Sequence, residues 1–378
     1  MKTSRAHSFR SSLAAAMAFL SVASVGCDPS AEPSTGPSTP PMDAQQIADF
    51  DPSQSSDWQL EGVVPQRVRE EGETHDPAVA PEVPNGEYLI LADGRMFRYV
   101  GKEPLSEALF QGGAGSRGED LKSSDLGTLN QGIVIGTDDR TVVTSDATLR
   151  AWPHRTIGSV IYGATDTTGG CTATMIGPRH AVTAAHCLHD GAGTWYWPLF
   201  FSPGHKGSGA DRTPNGAYRK VVARYARTWD AAWDYGLMIL EDRPETASLG
   251  WMGFGWWSSD SFYANRPLRI FGYPVANLDC AASPRADGNC GGFMYQSFCS
   301  VADYTSDVLY HRCDTQSGNS GSALQSWVGD DLYVIGVHKG YPNTTVNWGP
   351  RFTSQKASAD LCGWMKAWPS SYATRSCN

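Results

Sequence analysis

Three side chains far apart in the sequence could together carry nucleophilic chemistry. Gly318-Asn319-Ser320-Gly321-Ser322 lies between the apolar runs Val308–Tyr310 and Leu332–Val337. Glycine tolerates backbone angles that other residues avoid, so a turn of this kind can expose its serine hydroxyl. The N–H groups of Gly318 and Ser320 can together receive a developing oxyanion. Such a serine needs a base and an acid. His186, in Thr183-Ala184-Ala185-His186-Cys187, follows a strand-like run, Ala173–Val182. Asp234 heads Tyr235-Gly236-Leu237-Met238-Ile239-Leu240, which reads as a buried strand. An acid at the mouth of such a strand is costly to bury alone, and an imidazole N–H is a suitable partner.

The order His186, Asp234, Ser320 is that of chymotrypsin-like enzymes. Further segments sharpen the likeness: Val134-Ile135-Gly136-Thr137-Asp138-Asp139-Arg140, Cys171–Cys187, Gly272-Tyr273-Pro274, Asp314–Ser322 and Val337-His338-Lys339-Gly340. Together they span Ile133 to about Leu361. On these residues the chain resembles secreted bacterial serine proteases of the chymotrypsin fold, in the glutamyl endopeptidase (V8-like) group.

The resemblance implies an all-β domain of two six-stranded antiparallel barrels over residues 133–378. It implies that Ser320 attacks the scissile carbonyl, that His186 moves the proton and that Asp234 orients the imidazole. Gly318 and Ser320 would form the oxyanion hole, and a Cys171–Cys187 disulfide would pin the histidine loop. Substrates would be proteins or peptides cut after Glu, with Asp slower, their carboxylate held by Thr315 and His338. Asp314 opens a rival reading, because trypsin carries its Arg/Lys-binding aspartate six residues before the serine. Asp230 competes with Asp234 but lies further from the apolar run. His311 reads as a strand-surface residue and His189 as a loop residue, while His154 and His205 have no contextual support for a role.

Two other function classes deserve weight. A catalytically silent binding or adhesion module would usually lose a triad member, and this chain keeps all three. An α/β-hydrolase esterase needs Gly-x-Ser-x-Gly and the order Ser, Asp, His. Here the last glycine is Ser322 and the order differs.

Short apolar runs between Gly, Asn, Asp and Pro support the all-β reading: 157–162, 220–225, 268–271, 309–311 and 332–337. Ala357–Trp368 alone reads as a helix, and Trp251–Trp257 as core or barrel-junction packing. Residues 1–27 read as a secretory signal, and Ser24-Val25-Gly26-Cys27 as an imperfect lipoprotein box. Export would leave the protein extracellular, or anchored to the cell envelope through Cys27.

Residues 28–132 read as an acidic linker and propeptide, mostly disordered. Within them, Asp28 to about Pro84 reads as linker, Tyr88–Val100 as a hairpin that must dock on something, and Gly112–Gln131 as a cleavable connector. Residues 28–131 carry 19 acids and seven bases, whereas 133–378 carry 20 of each. The acidity therefore belongs to the leader, and nothing basic in the enzyme-like part points to nucleic acid. The resemblance places the mature start near Ile133 or Val134. Asn319 stands where a trypsin-type enzyme has the aspartate that pairs with the new terminus.

Apart from Cys27, eight cysteines suggest four disulfides. Cys299–Cys313 would tie the strands leading to the serine loop. Cys280–Cys290 and Cys362–Cys377 are paired by proximity. The spacings do not suit zinc, and the sequence carries no recognisable cofactor or metal motif.

Overall fold

The computed structural model describes residues 52–54, 56, 58–67, 88–100, 132–163, 170–191, 193–207, 214–227, 232–274, 292–328 and 331–373. The signal with Cys27, the 112–131 connector, Asp230, Cys280, Cys290 and Cys377 lie outside the described residues.

The leader contributes β1 (Trp58–Val63), β2 (Gln66–Arg67), β3 (Tyr88–Leu91) and β4 (Arg95–Tyr99). β5 (Thr141–Val143) and helix α1 (Asp146–Arg150), capped by Ser145, follow. Then come β6 (Ile157–Tyr162), β7 (Cys171–Gly177), β8 (His180–Thr183), β9 (Trp195–Tyr196), β10 (Leu199–Pro203), β11 (Arg219–Ala226) and β12 (Gly236–Leu240). Six of these close a ring in the order β10, β6, β7, β8, β12, β11, with β11 returning to β10 at Lys220↔Phe200. Closure leaves these strands little free edge: of β11, Ala223–Ala226 lie beyond the pairing with β10. The sequence run 173–182 is two strands rather than one, because Pro178 and Arg179 turn the chain between β7 and β8.

Helix α2 (Pro244–Ala247) and the Trp251–Trp257 stretch lead into the second set of strands. These are β13 (Gly253–Phe254), β14 (Pro267–Gly272), β15 (Met294–Tyr304), β16 (Val308–His311), β17 (Ala323–Val328), β18 (Asp331–Val337), β19 (Gly340–Asn343) and β20 (Val346–Pro350). Their ring runs β14, β15, β16, β20, β18, β17. A Gly336–Arg351 bridge and the Phe352 N–H to Ile335 O bond (2.9 Å) close it beside β20. The fold is therefore all-β and chymotrypsin-like. Trp251, Phe254 and Trp256 pack on a buried cluster that draws on both rings.

Two expectations need correction. The leader is not simply linker, since β1 and β2 lie inside the stretch expected to be unstructured. Its Pro- and acid-rich average hides Trp58, whose ring sits 6.0 Å from that of Tyr225. The partner of β1 is β4, too distant in sequence for local periodicity to reveal. The hairpin turns at Asp93-Gly94 and docks, as expected of it, with β3 pairing against β11.

The carboxyl-terminal helix also differs. It starts at Gln355, is π-wound to Leu361, and continues as α3 (Cys362–Ala367), leaving Trp368 as its cap. The wide winding accompanies two buried charges: Lys356 bonds Asp307 (2.9 Å), and Asp360 pairs with Arg227 (2.7 Å). α1 and α2 were not legible because each is only about one turn long.

Candidate active site

His186 sits in the short turn Ala185–Cys187, directly after β8. A disulfide joins Cys187 to Cys171 at the start of β7. Bridges closing loops of this size contribute about 3 kcal/mol in the chain-entropy picture. Asp234, fully buried just before β12, holds the turn by two bonds. Its Oδ1 accepts the His186 backbone N–H at 3.0 Å, and its Oδ2 lies 2.7 Å from His186 Nδ1. An ionised carboxylate only accepts, so Nδ1 is the donor and Nε2 is left as the basic nitrogen. Burial alone would raise the Asp234 carboxyl. The charges and hydrogen bonds of His186 and Lys339 outweigh burial and hold it well below the usual carboxylate range.

Lys339 is a member of this site whose orientation the sequence did not reveal. Its buried ammonium lies 2.9 Å from Asp234 Oδ2. A lysine after His338 is legible in the sequence, but the direction of its side chain follows only from the fold.

Ser320 comes from the other ring, on a turn between Gly318 (φ 96°) and Gly321 (φ 85°). Thr172 of β7 grips that turn. Its N–H donates to Ser320 O (2.8 Å) and its hydroxyl to Gly318 O (2.9 Å). A side chain at Gly321 would meet Thr172 O and the Thr183 hydroxyl at 2.2 Å, so only glycine fits. Cys187 Sγ is 3.6 Å from Ser320 O, which brings the serine beside the histidine turn. Ser320 Oγ lies 3.4 Å from Lys339 O.

The residues expected to bind a substrate carboxylate also converge. Thr315 and His338 are fully buried. Among the described residues, Thr315 Oγ1 and His338 Nε2 have no hydrogen-bond partner. Gly132 closes over both atoms, and a Cβ there would lie 2.5 Å from Thr315 Oγ1 and 3.1 Å from His338 Nε2. The other nitrogen of His338, Nδ1, is 3.1 Å from His311 Nε2. His311 is therefore not a strand-surface residue: it is fully buried and sits behind the pocket. The ring of His338 packs edge-on against it, with centroids 5.2 Å apart. Burial holds His311 down at about 3. Burial and the neighbouring His311 and His186 hold His338 well below the ordinary histidine range, against the pull of Asp234.

Asp314 is engaged by backbone N–H groups. Its carboxylate accepts the backbone N–H groups of Ile135 (2.7 Å) and Asp139 (2.9 Å). Nearby, Asn347 brackets Ile133 with two bonds, to its N–H (3.0 Å) and its carbonyl (2.9 Å). Asn319 turns onto Gly272, where an added Cβ would be 2.3 Å from Asn319 Oδ1.

Cys299 is bonded to Cys313, and Cys362 is disulfide-bonded as well. The groupings Cys171/His186/Cys187 and Cys299/His311/Cys313 have metal-like spacing, but their sulfurs are spent in disulfides. His189 is buried at the bridge to Trp195, and His205 shares a bond with Ser202 (2.9 Å). His154 packs its ring against Phe271.

No protein-family model matches the chain. Among curated proteins, it is 28% identical over 230 residues to a glutamyl endopeptidase of Bacillus licheniformis, covering 59% of this chain and 66% of that protein. It is also 28% identical over 235 residues to serine protease 23 of Rattus norvegicus, covering 52% and 56%. The chain thus spans between half and two thirds of the curated relatives it matches. A solved structure of Glu endopeptidase in complex with MPD superposes with a TM-score of 0.50 at 24% identity, over 62% of this chain and all of that one. The chain is a relative of chymotrypsin-fold serine proteases, a glutamyl endopeptidase among them.

Proposed function

We propose that this chymotrypsin-fold relative of serine proteases is an exported serine endopeptidase that cuts after Glu, with Asp second. The observation that carries the catalytic part is the double clamp of Asp234 on His186. It fixes the imidazole plane and tautomer with Nε2 left to take the Ser320 proton. Ser320 Oγ then attacks the scissile carbonyl, and the N–H groups of Gly318 and Ser320 receive the oxyanion. His186 hands the proton to the leaving amine, and water repeats the sequence on the acyl-enzyme.

The specificity reading rests on Thr315 Oγ1 and His338 Nε2, two buried polar atoms that have no partner among the described residues and that both lie close to Gly132. Buried polar atoms normally find partners, and a carboxylate would satisfy both. If His311 donates from Nε2 to His338 Nδ1, His338 keeps its proton on Nε2 and can donate it to the substrate. The rival trypsin-like reading is weaker, because the Asp314 carboxylate is taken by two backbone N–H groups.

We also place activation at a cut near Ile133, since Gly132 occupies the space in front of both pocket atoms. Neither Gln131 nor Gly132 suits an acid-specific enzyme, so another protease would make the cut, with self-trimming after Glu119 or Asp125 as a further route. Disulfides suit an oxidising compartment, and among the described residues no helix is long and apolar enough to cross a membrane.

The test is a matched peptide series with Glu, Asp, Gln, Arg or Phe before the scissile bond. Ser320→Ala, His186→Ala and Asp234→Asn should each lose on the order of 10⁴-fold in activity. His338→Ala should lose roughly 2–5 kcal/mol on the Glu peptide alone, from leaving the carboxylate unpaired. Near-normal turnover by Ser320→Ala would falsify the catalytic reading. A preference for Arg that vanishes in Asp314→Ala would replace the acidic pocket by a basic one.

A further inference from the structure

We propose that the folded part of the leader, residues 58–67 and 88–99, is a permanent clamp on the loop that carries His186, and that it stays bound as a separate chain once the connector is cut. The inference rests on the precursor reading only for the existence of that cut.

The contact runs directly to the histidine loop. β2 lies parallel to β9, with Gln66 opposite Trp195 and Arg67 opposite Tyr196. Trp195 N–H donates to Pro65 O (3.0 Å), and Trp197 N–H to Arg67 O (2.9 Å). β9 in turn holds the residues just after His186. Tyr196 N–H donates to Leu188 O (2.9 Å), and Trp195 bridges His189. The Arg67 guanidinium lies over the Tyr196 ring (5.5 Å) and 3.7 Å from the Asp190 carboxylate of the same loop. One strand of leader thus braces both arms of the loop that follows His186.

Beneath it sits a buried cation. Arg224 is fully buried on β11, directly opposite Ile90 of β3. Its guanidinium is boxed by the rings of Trp195 (5.6 Å) and Trp197 (4.9 Å), and Nη1 reaches Tyr196 O. Among the described residues its Nε and Nη2 have no hydrogen-bond partner, and burial pulls its pKa down to about 9. The aromatic box, with β2 alongside β9, gives this charge what stabilisation it has. Loss of the leader would take away the strand that lines one wall of that box.

Release would also be costly at the sheet. β11 changes partner along its length: Arg219 and Lys220 pair with β10, while Ala223–Ala226 pair with β3. The leader therefore occupies the edge that β10 leaves open. Leu89, Ile90 and Phe97 lie in the main core at no more than 1% exposure. Dissociation would hydrate these side chains and leave four residues of β11 unpaired on that side.

The experiment needs no proteolytic activity, so the fate of the protease reading does not affect it. Full-length Ser320→Ala protein is nicked with trypsin at the connector bases Arg117 and Lys122, with mass spectrometry confirming the cut. Gel filtration in native buffer should show the amino-terminal fragment co-eluting with the rest, and denaturant should separate them. Separation in native buffer, with the large fragment still folded, overturns retention. Hydrogen exchange on the same sample should find the Trp195 and Trp197 amides protected. In Arg67→Ala, exchange of backbone amides over 188–197 should rise about tenfold, while that of β17 stays constant. Unchanged exchange over 188–197 overturns the clamp.

Discussion

The ammonium of Lys339 lies 2.9 Å from Asp234 Oδ2, the same oxygen that faces His186 Nδ1. This carboxylate therefore divides one negative charge between two cation-forming partners inside a dry site. Its charge also pulls His189 and His338 upward, against burial.

Removing the lysine charge should strengthen the pull of Asp234 on the protonated imidazole. In Lys339→Gln the acid limb of the kcat/KM profile should move to higher pH, and Lys339→Arg should restore it in part. A superimposable profile in Lys339→Gln would remove the lysine from the charge network.

The same substitution has a stability signature. The Asp234 carboxyl is held low in the folded protein, so its contribution is complete above the unfolded value near 4 and is lost as pH falls through the folded one. Without Lys339 that folded value rises, and acid unfolding should begin at higher pH. At neutral pH the loss should be about 3 kcal/mol, the low end for breaking a buried pair, because His186 remains. Urea midpoints between pH 3 and 8 measure both effects.

Three buried histidines should set a second pH dependence. His189 is held at about 4 and His311 at about 3, mainly by burial, and His338 is also depressed. Between these values and about 6.5 the unfolded chain binds more protons than the folded one. Stability therefore rises with pH through that window and falls on acidification, by about 1.4 kcal/mol per pH unit for each histidine. His311→Phe should flatten the slope by one proton, read from urea midpoints across the window.

His311→Phe also tests the pocket, because it removes the ring nitrogen 3.1 Å from His338 Nδ1. His338 would then be free to carry its proton on either nitrogen. The Glu-over-Gln preference should shrink about tenfold, roughly the worth of one hydrogen bond to a charged group. A full preference in His311→Phe would leave His338 acting without it.

Asp314 is predicted to be structural. Asp314→Ala strips the acceptors from the part-buried N–H groups of Ile135 and Asp139, at a cost of about 1 kcal/mol, the net worth of a typical hydrogen bond, for each. Thermal unfolding should record that loss, while the ranking of Glu over Arg peptides stays the same.

Much of this was legible because chemistry and fold leave marks at short range. The apolar runs at 157–162 and 332–337 are strands within a residue of their expected ends. The glycines mark the tight turn at Ser320, and the acid heading an apolar strand marks the buried Asp234 beside His186. What escaped depends on contacts between distant segments. The residues around His311 in the sequence cannot show that it is buried against His338, 27 positions away. The leader's average composition cannot show that Trp58 reaches Tyr225. Nothing near Lys339 in the sequence shows that its side chain ends on an acid 105 positions away.

Thr172 gives the two barrels a common fate. Its N–H and hydroxyl hold the backbone on both sides of Asn319, and its hydroxyl oxygen also accepts the N–H of Tyr273 at 2.9 Å. One threonine of the first ring is thus bonded to two separate segments of the second. Neither ring can open there without displacing the serine turn, so melting should be cooperative across both, with one calorimetric transition rather than two. Thr172→Val keeps the shape of the side chain and the backbone bond to Ser320 O, and removes the two hydroxyl bonds. It should uncouple the rings, broadening or splitting the transition, with enzyme activity disappearing in the earlier part.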